Sequence, residues 1–230
     1  HKFTFAGNSD LNGQEYTEGE TEGNDLLTHV GLGSSKILPD YAFRSCENLL
    51  SVSLGDTMYD MGKAPFRGCS KLTGIVGNSR FFSENAIIYE NTADMATDTG
   101  EEFNEAAPYR IVECLETRGT NMVIASSIHE KEDKNLSKVG EVEEEAFAYC
   151  DFITGVDLTA SKIAKIPDNC FKSSEKLNSV MLPETVKYIG IDAFDETTTD
   201  VWIYSRDCVI NNSFGDNYKG DIYGYRYKDD

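Results

Sequence analysis

Phe171-Lys172-Ser173-Ser174-Glu175-Lys176-Leu177-Asn178-Ser179-Val180-Met181-Leu182-Pro183-Glu184-Thr185-Val186-Lys187-Tyr188-Ile189-Gly190-Ile191-Asp192-Ala193-Phe194 decides the fold. Its two ends carry the same residue, and its apolar slots recur elsewhere. Counting from Phe43, the slots of Leu177, Val180, Leu182, Val186, Ile189 and Gly190 hold Leu49, Val52, Leu54, Met58, Met61 and Gly62. Counting from Phe147, the first three hold Ile153, Val156 and Leu158, and one extra residue then shifts the next pair to Ile163 and Ile166. Counting from Phe66, Leu72 and Ile75 fit, Gly77 follows, and the phase breaks off. The phenylalanines lie 23 residues apart (43 to 66), then 81 (66 to 147), 24 (147 to 171) and 23 (171 to 194). A period in the twenties is the mark of a solenoid, which displays an extended surface.

The slots have a physical reading. Leu-x-x-Val-x-Leu ends in a period-two apolar pair, which suits a short strand with one buried face. Pro or Gly after it stops the strand. The pair Val186 and Ile189 belongs to the return path, and Gly190 is expected to turn a tight corner with unusual backbone angles. The Ala-Phe pair is expected to open a short helical or 3₁₀ turn, with Phe as the core plug. One such coil cannot bury its apolar face alone; stacked coils can, and their strands then form a parallel sheet. Phe43, Phe66, Phe147, Phe171 and Phe194 are expected to line one buried column.

These residues resemble the leucine-rich repeats of the BspA-like type, found in bacterial surface proteins and some protist ones. The resemblance rests on Ala-Phe-x-x-Cys-x-x-Leu-x-x-Val-x-Leu-Pro-x-x-Val-x-x-Ile-Gly, best matched at 171–194 and opened again at Phe43–Cys46 and Phe147–Cys150. Ser174 and Thr197 depart from it where Cys is expected, Pro65 and Cys170 stand in place of Ala, and Gly77 replaces a strand residue. The resemblance implies an α/β solenoid: a right-handed superhelix with a parallel β-sheet and a β-hairpin interruption. It also implies adhesion to host proteins or other cells.

The chain divides into an N-terminal cap over 1–35, repeats over 36–77, a β-hairpin insertion over 78–135, repeats over 136–205 and a C-terminal cap over 206–230, all in one continuous domain. Within the insertion, Ala86–Tyr89, Tyr109–Leu115 and Asn121–Ala125 read as strands. Asn85–Tyr89 resembles the Asn-x-Ile-Ile-Tyr hairpin of BspA-like proteins. Glu90–Ala107 is polar and acidic, and is expected to be a mobile loop at the hairpin tip. In Tyr109–Leu115 the apolar residues Ile111 and Leu115, set against Arg110 and Glu113, fit the alternation of a half-buried strand only loosely.

At 230 residues the chain is long enough to bury a core. Forty acidic side chains against 21 basic ones leave a net charge of −19, which argues against nucleic acid and anionic membrane as partners. No apolar run approaches the roughly 18–20 residues of a membrane span. The chain opens at His1 without Met and reads as a mature or trimmed fragment, which leaves export open. Cys46, Cys69 and Cys150 share one slot and Cys170 fills a small-residue slot, so these four are expected to be reduced, buried packing thiols. A Cys46–Cys69 bridge is not geometrically excluded. Cys114 and Cys208 lie outside the slots and their state is open.

Chemical motifs are sparse. His1, His29 and His129 are scattered, and nothing arranges a nucleophile. Asn8, Asp10, Asn12 and Gly13 imitate the start of a calcium loop, but Gly19 occupies its twelfth position. No catalytic residue, cofactor or metal is expected. The strand face remains: Ser51, Ser53, Gly74, Val76, Gly155, Asp157, Ser179 and Met181 should point outward and form the ligand surface. Trp202, Tyr204, Tyr218, Tyr223, Tyr225 and Tyr227 either form a second sticky surface or pack the last coil. The sequence therefore reads as a non-enzymatic, monomeric cell-surface or secreted module that binds a protein ligand. A structural spacer and a carbohydrate-binding accessory are the alternatives; the latter requires the aromatic rings to be coplanar and exposed.

Overall fold

A computed structural model describes residues 24–93, 107–116, 127–128 and 138–224. They fall into two compact units, one within 1–89 and 112–117 and the other within 90–111 and 118–230. Both are stretches of β-solenoid. The first unit contains β1 (His29–Gly31), β2 (Ile37–Leu38), β3 (Ser51–Ser53), β4 (Asp60–Met61), β5 (Ile75–Val76) and β6 (Phe81–Glu84). The strands β7 (Ile87–Asn91) and β8 (Tyr109–Cys114) are divided between the units. The second unit contains β9 (Ser127–Ile128), β10 (Val139–Val142), β11 (Gly155–Asp157), β12 (Lys165–Ile166), β13 (Ser179–Leu182), β14 (Tyr188–Ile189), β15 (Asp200–Ile203), β16 (Val209–Ile210) and β17 (Ile222–Tyr223).

The period-two slots set the register. In the first unit β1, β3 and β5 run parallel, with Val30, Val52 and Ile75 in one row, and β2 lies parallel to β4 with Leu38 beside Met61. In the second, β9, β11, β13, β15 and β17 are parallel, with Val156, Val180, Val201 and Ile222 in one row. The return path makes its own parallel set, β12, β14 and β16, along Ile166, Ile189 and Ile210. The core phenylalanines stack within each unit. Phe43 and Phe66 lie 5.5 Å apart; Phe147–Phe171, Phe171–Phe194 and Phe194–Phe214 are 5.0, 4.9 and 5.3 Å apart. The five phenylalanines expected in the core are buried.

The expected helical component is absent: among the described residues no α-helix forms, so the architecture is a β-solenoid rather than α/β. The reason is backbone chirality. Two residues before and after each core Phe, the chain adopts a left-handed conformation, with φ from +41° to +77°: Tyr41 and Ser45, Ala64 and Gly68, Glu145 and Tyr149, Asn169 and Ser173, Asp192 and Glu196. A left-handed residue every fourth position prevents a right-handed helix from propagating. The amides then alternate in role. Arg44 and Cys46 bond locally to Tyr41 and Phe43 carbonyls, whereas Tyr41, Phe43 and Ser45 donate to Lys63, Pro65 and Arg67 of the next coil. Asn169, Phe171 and Ser173 donate likewise to Ile191, Ala193 and Asp195. The Phe side of the solenoid is thus itself a hydrogen-bonded ladder.

Two repeat positions serve this stacking differently from expectation. The Cys slot is a donor slot as well as a packing one. Cys69 Sγ donates to the Phe43 carbonyl at 3.1 Å, and Ser174 Oγ donates to the Phe147 carbonyl at 2.6 Å while accepting from the Cys150 amide. Ser at 174 therefore keeps the function of the slot. Gly190 has no left-handed φ; it is needed for close approach. A Cβ there would lie 2.3 Å from Asp168 Oδ1 and 2.5 Å from the Asp168 nitrogen. That same Asp168 Oδ1 accepts from the Ile191 amide at 2.9 Å.

The hairpin forms as expected. Leu115 donates its amide to the Ala86 carbonyl and Thr92 donates to that of Pro108, each at 2.8 Å, which fixes β7 against β8 from both ends. A second, tighter turn through Asn85 and Ala86, both left-handed, joins β6 to β7. The loose alternation has a reason: Glu113 is buried, and its carboxylate accepts from the Phe66 amide, 3.0 Å away. Residues 94–106, within the expected mobile loop, and the expected strand Asn121–Ala125 lie outside the described residues.

Candidate functional site

The strand faces are where side chains leave the core, because alternate residues of each strand must point away from it. In the first unit, Ser51 is half-buried and Ser53 exposed, and Val76 is 64% exposed beside Ser53 in register. Gly74 is less open than expected. The chain doubles back into β6, and Ser83 Oγ would lie 2.7 Å from a Cβ at Gly74. Ser83 Oγ also accepts from the Ile75 amide at 2.9 Å. This part of the face is small, polar and without an aromatic anchor.

In the second unit the face is built differently. Gly155 is buried, since it has only backbone to expose and is flanked by paired strands on both sides. Asp157, Met181, Trp202 and Tyr223 occupy one row in register, and Ser179 and Asp200 pair in another, with Asp221 just before β17. Val201 and Ile203 point into the core, which forces Asp200 and Trp202 outward. The Trp202 and Tyr223 rings stack, with centroids 4.9 Å apart and planes 17° from parallel. Tyr223 still keeps 41% of its surface in solvent.

Acidic groups sit against these rings. Asp200 Oδ1 accepts from the Asp221 amide at 3.0 Å, and the Tyr223 hydroxyl donates to Asp221 Oδ2 at 3.3 Å. The Tyr218 hydroxyl donates to the Thr199 carbonyl at 2.8 Å, and its ring lies on Phe214. Tyr218 is thus a packing residue of the last coil. Burial, then the charges of Asp200 and Asp221, push its phenol up. The same two carboxylates raise that of Tyr223. Sequence reasoning picked out Trp202, Tyr204 and Tyr223 but not Asp200 and Asp221. The period-two pattern Asp200-Val201-Trp202-Ile203 beside Asp221-Ile222-Tyr223 would have placed them. Tyr225 and Tyr227 lie outside the described residues.

Tyr204, 45% exposed, belongs to a separate open cleft of about 380 Å³ lined by Glu184, Thr185, Lys187, Ser205, Arg206 and Asp207. Its charges are of both signs. Among the described residues no group of three or more His, Cys, Asp or Glu side chains is placed to hold a metal ion. None of the six cysteines forms a disulfide and all are buried, Cys114 and Cys208 included.

A family model described as the BspA type leucine rich repeat region matches residues 25–96 and 127–215, in six copies. Among solved structures, a leucine-rich repeat protein of Eubacterium ventriosum is similar over 77% of this chain and 42% of that one, with 13% identity and a TM-score of 0.55. A leucine rich cell surface protein of Faecalibacterium prausnitzii is similar over 87% of this chain and 61% of that one, with 14% identity and a TM-score of 0.37. This chain spans less than two thirds of the length of either. At these identities the likeness concerns the fold alone. No curated protein matches the chain.

Proposed function

Because the chain belongs to the BspA-type leucine-rich repeat family, we propose that it is a non-enzymatic binding module that presents its strand face to a protein ligand outside the cell. The observation that carries this reading is the outward row Asp157, Met181, Trp202 and Tyr223, fixed in register by four parallel strands. Aromatic residues on a rigid scaffold are the usual anchors of protein recognition, because they bury large area at little entropic cost. Within the same unit, the small residue Ser179 serves as a surrounding contact; Ser51 and Ser53 form a separate small-residue face in the first unit. The module acts as a monomer. No helix among the described residues is long and apolar enough to cross a membrane.

The geometry speaks against the carbohydrate-binding alternative. That reading requires coplanar rings side by side, whereas Trp202 and Tyr223 are stacked on each other, with centroids 4.9 Å apart. The test is binding of the purified chain to arrays of extracellular-matrix proteins and glycans. Saturable capture of a protein, lost on Trp202→Ala, is expected. Capture of a glycan alone would favour the carbohydrate reading, and no capture at all the spacer.

A further inference from the structure

We propose that the face formed by β15 and β17 receives an arginine-bearing protein segment, its guanidinium on Tyr223 and between Asp200 and Asp221. This deepens the binding-module reading above and rests on it. Three features of the site converge on that chemistry. The first is the ring pair: Trp202 covers one face of Tyr223, yet Tyr223 remains 41% exposed, so a planar group still has a surface to stack on. The second is the carboxylate pair, Asp200 at the start of β15 and Asp221 just before β17, held together by the Asp221 amide bond to Asp200 Oδ1. Asp200 and Asp221 have no ion-pair partner among the described residues; their bonds are to the Asp221 amide and the Tyr223 hydroxyl. The third is proximity: the charges of both Asp200 and Asp221 reach the Tyr223 phenol and raise it.

An apolar segment laid here would strip water from two unpaired carboxylates without compensating them. A cation restores what it removes. Arginine fits better than lysine, because its flat guanidinium stacks on an aromatic ring and forks to carboxylate oxygens at the same time. The net charge of −19 would draw a basic segment toward the chain before the specific contact forms.

Trp202 is the only tryptophan of the chain, so its fluorescence reports on this face directly. The experiment titrates the purified chain with hexa-arginine and hexalysine peptides. Hexa-arginine is expected to give a saturable change, with hexalysine several-fold weaker. Asp200→Asn with Asp221→Asn should weaken hexa-arginine about tenfold, and Tyr223→Ala should narrow the gap between the two peptides. Asn keeps an acceptor for the Asp221 amide, and thermal melting of each variant checks that the coil survives. An absent change, or equal responses to both peptides that ignore the Asn substitutions, overturns the proposal as bulk charge attraction. If a protein captured on the array binds the double Asn variant undiminished, the binding module stands and this inference falls.

Discussion

The Phe66 amide donates to Glu113 Oε2 at 3.0 Å, whereas one coil earlier the Phe43 amide donates to the Pro65 carbonyl at 2.8 Å. Two residues on, Gly68 donates to Glu116 Oε1 at 2.6 Å where Ser45 had donated to the Arg67 carbonyl. The phase breaks off after Gly77, so no regular coil follows that of Phe66, and side-chain carboxylates take the places of the missing backbone acceptors. Glu113→Ala should therefore leave a buried amide unpaired and cost about 1–3 kcal/mol. Glu113→Gln, which keeps an acceptor oxygen, should cost less. Urea denaturation of the two variants checks the order; equal losses would mean that the bond carries little.

Phe171 is clasped between Phe147 and Phe194, at 5.0 and 4.9 Å. Phe171→Ala should destabilise the second unit by roughly 3–5 kcal/mol, through lost burial and a cavity that stacked coils cannot easily collapse. Denaturant unfolding followed by circular dichroism measures it.

Ala86 holds φ at +59° directly after Asn85 at +51°, the backbone of a two-residue turn that favours Gly in its second place. Ala86→Gly should raise stability by up to about 1 kcal/mol, because glycine carries no Cβ penalty there. A lower melting temperature for the variant would show that the Ala86 methyl packs usefully.

Gly190→Ala should act in the opposite direction. The added methyl would meet backbone atoms of Pro167 and Asp168 within 2.6 Å, and backbone cannot swing aside. The expected loss is a few kcal/mol, in the range of overpacked cores, and is read by the same denaturation.

Burial pushes the Cys208 thiol up to about 11, and raises those of Cys69 and Cys170 as well. A folded-state pKa above the unfolded one means that the unfolded chain releases its proton first as pH rises. Stability should therefore be unaffected by these thiols below about pH 8.5 and fall from there toward pH 11. Cys208→Ser should reduce that alkaline loss. In the native state at pH 8, none of the six thiols should react with a maleimide before denaturation.

The repeat slots of Phe171, Leu177, Val180, Leu182, Val186 and Ile189 were legible because burial on one face writes itself as spacing. All six are fully buried. The left-handed positions were not legible. Tyr41 and Tyr149 have no preference for that conformation; their amides bond to the Lys63 and Lys172 carbonyls of the next coil, and tertiary bonds override propensity. The burial of Glu113 was not legible for a related reason, since a carboxylate in a strand breaks the apolar pattern unless its acceptor role is known. Of the candidate face, Trp202 and Tyr223 were visible as aromatics. Their acidic neighbours emerged only once β15 and β17 were aligned.

The alternating amides beside each Phe also set rules for how such a chain can grow. A coil leaves three donors at its edge that only another coil, or a well-placed carboxylate, can satisfy. Gene segments duplicated in whole periods fit without repair. A segment spliced in at any other length exposes those donors unless it brings acidic side chains of its own, as the stretch carrying Glu113 and Glu116 does for Phe66 and Gly68.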